Sequence, residues 1–308
     1  MTIEKIIEKN QKTAEKISTK MMTSPVEKDL EKISVQELIA VIQKAVEIKN
    51  NVSVEQSFIN QFEFCQKYLV EKVSRLEKFY YFVDKITSCP YLSDDDELYC
   101  FSQKEIAEYA QDYYLQQLRN WEIKSVETDE IVNFLSDCYN CFGAKSFIID
   151  NGANYIRLEI EKFGVQEDKE NFYNAKYFNT LLKLDEEIYW RAMYPEKVLV
   201  SRQKENNMII AFNESKLFVP YKKDSQECEI FTKKNSSAED SYIPVFTDMK
   251  EFSKIYSKDD YDIKTLKSTE LKEIAKIPLV VNPGSVCFGV SLKMLSQLVM
   301  IYETELKK

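Results

Sequence analysis

The sequence contains no histidine. That absence excludes Ser–His–Asp and Cys–His catalysis within the chain, and with it zinc or iron sites built on imidazole. A switch titrating near neutral pH would have to use a shifted carboxylate or thiol. Glycine and proline are scarce, five and seven in 308 residues, which excludes a loop-rich or low-complexity chain. No run reaches the roughly 20 apolar residues of a membrane span; Leu38 to Ile42 is stopped by Gln43 and Lys44. Residues Met1 to Lys20 mix charges with scattered isoleucines and lack the apolar stretch of a secretion signal. A cytoplasmic location without membrane association is expected. An excess of positive charge is also missing. Lys and Arg number 42 against 51 Asp and Glu, for a net charge of -9, which disfavours nucleic-acid and anionic-membrane partners. Seven cysteines, an odd number, fit reduced thiols better than a disulfide framework.

What is present is core material: 44% hydrophobic and 13% aromatic residues in a length that suits two domains. Residues 1–50 read as a charged helical extension, with Ile3, Ile6, Ile7, Ala14 and Ile17 as a broken apolar stripe. Ser34 and Glu37 have the spacing of a capping box. Val52 to Ile86 reads as a helical region dense in aromatics, Phe58 through Phe82. A first α/β unit with its leading helix is expected over 51–165 and a second over 166–308.

The two units rest on a pattern that occurs twice. Leu98 to Gln103, Trp121 to Val126 and Phe147 to Gly152 come first; Ile243 to Asp248, Tyr261 to Leu266 and Leu279 to Gly284 follow in the same order. Ile263, Lys264, Ser268 and Glu270 repeat Ile123, Lys124, Thr128 and Glu130 at one constant offset. Each copy reads as strand, helix, strand, helix, strand, turn, strand, after a leading helix that includes Phe172, Tyr173, Tyr177, Phe178, Leu181 and Leu182 in the second copy. Ser102, Thr128, Thr247 and Ser268 are placed to cap the helices. Ile106 to Leu118 supplies one buried helix face, and Val198 to Val200, Met208 to Phe212, Leu217 to Val219 and Glu229 to Phe231 read as strand-like. Asn151-Gly152 suits a type I′ hairpin, and Asn282-Pro283-Gly284-Ser285 a type II turn with positive φ at Gly284. The fold class is therefore α+β: two similar units in tandem, each a small mixed sheet with packed helices, after an N-terminal helical region.

The second copy resembles the SseB family, the enhanced serine sensitivity proteins. Leu217-Phe218-Val219-Pro220 is similar to the family's first strand. Ile243-Pro244-Val245-Phe246-Thr247-Asp248 is similar to its signature, and Leu279 to Ser285 to its late strand and turn. The likeness spans about residues 170–306. The first copy departs from it, with Cys100-Phe101-Ser102 for Val-Phe-Thr and Asp150-Asn151-Gly152 for Asn-Pro-Gly. The resemblance implies a small cytoplasmic bacterial domain and supplies no catalytic residues. Pro244, Phe246, Thr247, Asn282, Pro283 and Gly284, with Asn151 and Gly152, are its structural signature.

Chemistry-bearing patterns are few. Cys138-x-x-Cys141 has the spacing of a redox pair or of half a metal site, but it sits at a helix end and the second copy lacks it. Asp94 to Glu97 reads as a solvated turn, and Asp185-Glu186-Glu187 as an exposed helical face whose neighbours point apart. Phe79 to Phe82 and Tyr189-Trp190 read as core, with any excess forming a contact surface. No cofactor or metal is expected. The favoured function is a non-enzymatic module that binds a protein, the acidic balance suiting a basic partner such as a toxin or regulator. The alternatives are a sensor of a small metabolite, such as an amino acid, which the name of the resembled family suggests, and a histidine-independent enzyme using Cys or carboxylate chemistry between the two units.

Overall fold

The computed structural model describes residues 3–117, 119–168, 174–196, 201–224, 227–232 and 241–307. The expectations for Leu118, Phe172, Tyr173 and Val198 to Val200 lie outside them. The chain is α+β. It divides into one unit of Met1–Cys138 with Ala144–Gln166 and another of Tyr139–Gly143 with Glu167–Lys308. Among the described residues no helix is long and apolar enough to cross a membrane.

Four helices open the first unit: α1 (Ile3–Met21), α2 (Glu27–Leu30), α3 (Val35–Asn51) and α4 (Gln56–Ser74). Ser34 and Glu37 form the capping box that starts α3: the Glu37 N–H donates to Ser34 Oγ at 3.2 Å and the Ser34 N–H to Glu37 Oε2 at 2.9 Å. Along α1 the buried residues are Ile3, Ile6, Asn10, Ala14, Ile17, Ser18 and Met21, a stripe that lies against α3. Residues 3–50 are thus packed into this unit.

β1 (Lys78–Asp84) occupies part of what the sequence suggested was a long helix. The correction has a local cause. Phe79-Tyr80-Tyr81-Phe82-Val83 is a run of aromatic and β-branched residues, which fit a pleated surface better than a helix. Then follow β2 (Glu97–Phe101), α5 (Lys104–Leu115), β3 (Trp121–Glu127), α6 (Ile131–Phe142), β4 (Ser146–Ile149) and β5 (Ile156–Glu159). The strand order is β3-β1-β2-β4-β5; β2 and β4 are parallel and every other pair is antiparallel. Successive side chains leave opposite faces. Phe79 meets Phe134 of α6 and Phe147 on one face. On the other, Phe82, Phe101 and Trp121 pack with Ile106 and Ala110 of α5 and Ile3 and Ile6 of α1.

The second unit holds α7 (Ala175–Met193), α8 (Arg202–Glu214), β6 (Lys216–Lys222), β7 (Phe231–Thr232), β8 (Ser241–Val245), α9 (Met249–Ser253), β9 (Tyr261–Lys267), α10 (Ser268–Ile274), β10 (Leu279–Val281), β11 (Phe288–Val290) and α11 (Leu292–Ile301). Met208 to Phe212, expected as a strand, lies inside α8; Met208, Ile209, Ala211 and Phe212 repeat at helical spacing and are buried together. β6 pairs with β9, while β11-β10-β8-β7 form a second ladder with β8 and β10 parallel. An antiparallel bridge between Phe218 and Phe246 joins the two ladders, each N–H donating to the other's carbonyl at 2.9 Å. Read across that bridge the order is β9-β6-β8-β10-β11, which matches β3-β1-β2-β4-β5 step for step. Even the joining pair corresponds, Tyr80 with Phe101 in the first unit and Phe218 with Phe246 in the second.

Candidate functional site

In each unit the two parallel strands end side by side, and the chain turns there through one residue in the left-handed region. In the first unit this residue is Asp150, φ 62°; in the second it is Asn282, φ 49°. Asx side chains tolerate this conformation by bonding nearby backbone groups. The Asp150 N–H donates to the Cys100 carbonyl at 2.8 Å, and the Asn282 N–H to the Val245 carbonyl at 2.9 Å. Each side chain then clasps the residue two positions beyond that carbonyl. Asp150 accepts from the Ser102 N–H and the Ser102 hydroxyl, both at 2.7 Å. Asn282 accepts from the Thr247 N–H at 3.0 Å and donates to Thr247 Oγ1 at 2.9 Å.

The clasp changes several expectations. Ser102 and Thr247 do not cap helices. The N-cap of α5 is Gln103, without a side-chain bond, and that of α9 is Asp248, whose Oδ1 accepts from the Glu251 N–H at 2.9 Å. Thr128 opens a short 3-10 turn and donates to the Leu76 carbonyl at 2.7 Å. Ser268 is the first residue of α10 and donates to Asn213 Oδ1 at 2.7 Å. Asn151-Gly152 is not a type I′ hairpin. Positive φ falls on Asp150 and Gly152, not on Asn151, and the link from β4 to β5 runs from 150 to 155. Asn151 instead donates to the Tyr114 hydroxyl at 2.8 Å. Nor is Asn282 to Ser285 a type II turn. The Ser285 N–H does close on the Asn282 carbonyl at 3.0 Å, with Pro283 at the second position, but φ is not positive at Gly284. At Gly284 the constraint is space: a Cβ would stand 3.3 Å from the Ile255 side chain, which would have to give by a few tenths of an ångström.

Charge separates the two clasps. Asp150 is fully buried, and burial pushes its carboxyl up to about 6, against the opposing pull of its bonds from Ser102 and Gln36. Gln36 leads outward into a polar network. Its Oε1 accepts from Asn10 at 3.3 Å, its Nε2 donates to the Asn154 carbonyl at 3.2 Å, and Asn10 also reaches Asn154 Oδ1 at 3.2 Å. α1 and α3 are thereby tied to the turn after β4. Around neutral Asn282 the acids are Asp248, whose carboxyl is raised by burial, and Glu251, which accepts from Ser285 Oγ at 2.5 Å and pairs with Lys254 at 2.6 Å.

The remaining predicted residues have structural places. Pro244 is buried in β8 opposite Val280. Phe246 packs edge-on against Phe252 and Tyr256. Cys138 and Cys141 are buried on α6. Glu97 of the acidic turn is buried and pairs with Arg157 at 2.8 Å, while Asp94, Asp95 and Asp96 face solvent. Asp185-Glu186-Glu187 is not an exposed face: Glu186 is buried on the core side of α7, Asp185 and Glu187 are half-buried, and Glu187 pairs with Lys204 at 2.7 Å. Among the described residues no group of three Cys, Asp or Glu converges as a metal site. Tyr189 is exposed, whereas Phe79 and Phe82 are core.

The sequence reading missed a cavity of about 420 Å³ in the first unit. Its walls come from the start of α3 (Ser34), the end of α4 (Tyr68, Lys72, Arg75) and the start of α5 (Ser102, Gln103), with Glu71 and Glu77 also present. The only local trace was Lys72 and Arg75 at a spacing of three, a pattern common on solvated helices. No family model, curated protein or solved structure matches the chain.

Proposed function

We propose that the chain is a non-enzymatic interaction and regulatory module, related to the SseB family and built by duplication of one α/β unit. One observation carries the reading. The clasp that contains the family-like signature works equally with an ionisable Asp150 and with a neutral Asn282. A side chain that supplied a catalytic base would not be replaceable by an amide in the same geometry. Ser102 and Thr247 therefore shape the backbone. The common strand order and the matched Tyr80–Phe101 and Phe218–Phe246 junctions support the duplication.

Thiol chemistry at Cys65, Cys100 and Cys228 is disfavoured by their burial. Burial pushes Cys65 up to about 12 and Cys228 up to about 11, and holds Cys100 well above its ordinary value. Little thiolate, the nucleophilic form, exists at such sites near neutral pH.

A partner surface is offered by the second half of α7. Ile188, Tyr189 and Met193 are 47%, 43% and 56% exposed, and they fall within two turns of one helix. The proposed partner is a protein, met in the cytoplasm. Affinity capture with the wild type and with Tyr189→Asp/Met193→Asp tests this. A specific protein recovered by the wild type and lost with the double variant supports the reading. Repeated recovery of none, or equal recovery by both, overturns it.

A further inference from the structure

The cavity of about 420 Å³ in the first unit is large enough for a small metabolite. Its lining is unusual in carrying both signs of charge around one aromatic ring. Lys72 lines it and is partly buried. Among the described residues its ammonium donates to the carbonyl oxygens of Ile33 at 2.6 Å and Glu31 at 3.5 Å, and no carboxylate pairs with it. Carbonyls orient the ammonium but do not neutralise it, and Glu37 acts on it only from beyond ion-pair distance, so a partly desolvated positive charge borders the space. Arg75, one turn on, has a side chain 77% exposed and reaches Glu71 only at 3.9 Å, too long for a firm bond. Glu71 and Glu77, both exposed, also line the cavity.

A polyphosphate or nucleotide would meet these two carboxylates as like charges, in a chain whose net charge is already -9. A simple cation would meet Lys72. A ligand with one anionic and one cationic group satisfies both. Gln103, at the start of the twelve-residue α5, also lines the cavity, and the first-turn N–H groups of α5 that it leaves uncapped favour negative charge.

We propose that this cavity binds a small zwitterion of the α-amino-acid class, its carboxylate toward Lys72 and Arg75 and its ammonium toward Glu71 and Glu77. The site goes beyond the interaction reading and lies in the other unit from the α7 surface. Failure of ligand binding and failure of partner capture are therefore separate results.

The test is calorimetric titration of the full chain with the common L-α-amino acids. Propionate, propylamine and inorganic phosphate serve as single-charge probes. At least one amino acid is expected to bind at one per chain, with each single-charge probe about tenfold weaker or worse. Arg75→Gln, which removes no buried contact, is expected to weaken that amino acid by about tenfold, and Lys72→Met by more. Because Lys72 also holds the Ile33 carbonyl, Arg75→Gln carries the test if Lys72→Met misfolds. The proposal is overturned if no amino acid binds, if propionate or phosphate binds as tightly, or if Arg75→Gln binds as the wild type does.

Discussion

At Asp150 a single atom type decides a pH dependence. The carboxyl has an ordinary value of 3.8 and stands at about 6 in the fold because burial penalises its charged form. Between those pH values the folded chain holds a proton that the unfolded chain has released. Stability contributed by this group therefore falls as pH rises through that window, and the full penalty, about 3 kcal/mol, stands above pH 6. Asp248, also raised by burial, has the same sign. Asp150→Asn is expected to keep the clasp, since Asn282 shows that an amide can accept from the backbone N–H and donate to the hydroxyl. The variant should gain about 1–3 kcal/mol at pH 8 and almost nothing at pH 4. Urea unfolding followed by Trp121 fluorescence at the two pH values measures this. Equal effects at both pH values, or a loss at pH 8, would show that charge burial is not what distinguishes Asp150.

Helix α1 shows how an element can be half legible. Its buried positions, Ile3, Ile6, Asn10, Ala14, Ile17 and Met21, recur every three or four residues, as one helix face must. In the sequence the stripe looks broken, because Asn10 interrupts it. The interruption is the point at which Asn10 meets Gln36 and Asn154, partners that are distant in sequence and invisible to any local window. β1 was misread for a related reason. Its aromatics carry two faces of a sheet, yet over a short run they mimic the apolar side of a helix. The strand order was better signposted, since Leu98 to Phe101, Phe147 to Ile149, Ile243 to Val245 and Leu279 to Val281 are short apolar runs bounded by polar turns. If α1 is an integral wall, Ile6→Ala removes packing from the Phe82, Phe101 and Trp121 cluster and costs about 2–4 kcal/mol. Lys9→Ala, which breaks only a partly exposed pair with Glu37, costs under about 1 kcal/mol. Chemical denaturation of both variants decides between a wall and a loosely attached extension; equal small costs would favour the extension.

Across the whole molecule, one strand order and one strand-end clasp are set in two different electrostatic surroundings. The signature residues were legible as backbone-shaping, but their turn types were not. Local dipeptide rules assign positive φ to glycine, whereas here the tertiary bonds to Ser102 and Thr247 draw Asp150 and Asn282 into that conformation. The charge difference between 150 and 282 was visible in the sequence, yet its meaning depends on neighbours that only the fold assembles. Asp150 has neutral Ser102 and Gln36 as its clasp partners. Asn282 has Thr247, whose hydroxyl also reaches Asp248 Oδ2 at 2.8 Å, and Glu251 lies one bond further on through Ser285. The two positions should therefore respond oppositely to the reciprocal exchange. Asn282→Asp adds a buried carboxylate beside Asp248, itself already raised, and removes the amide donor to Thr247. Burial and like charge act in the same direction, so a loss of at least about 3 kcal/mol is expected above pH 6, shrinking towards pH 4 as the new carboxyl takes a proton. Trp190 lies in the second unit and Trp121 in the first, so single-tryptophan versions assign each loss to its unit. If Asn282→Asp is as well tolerated at pH 8 as Asp150→Asn, the surroundings of the two clasps are equivalent, and the charge asymmetry drawn between them is wrong.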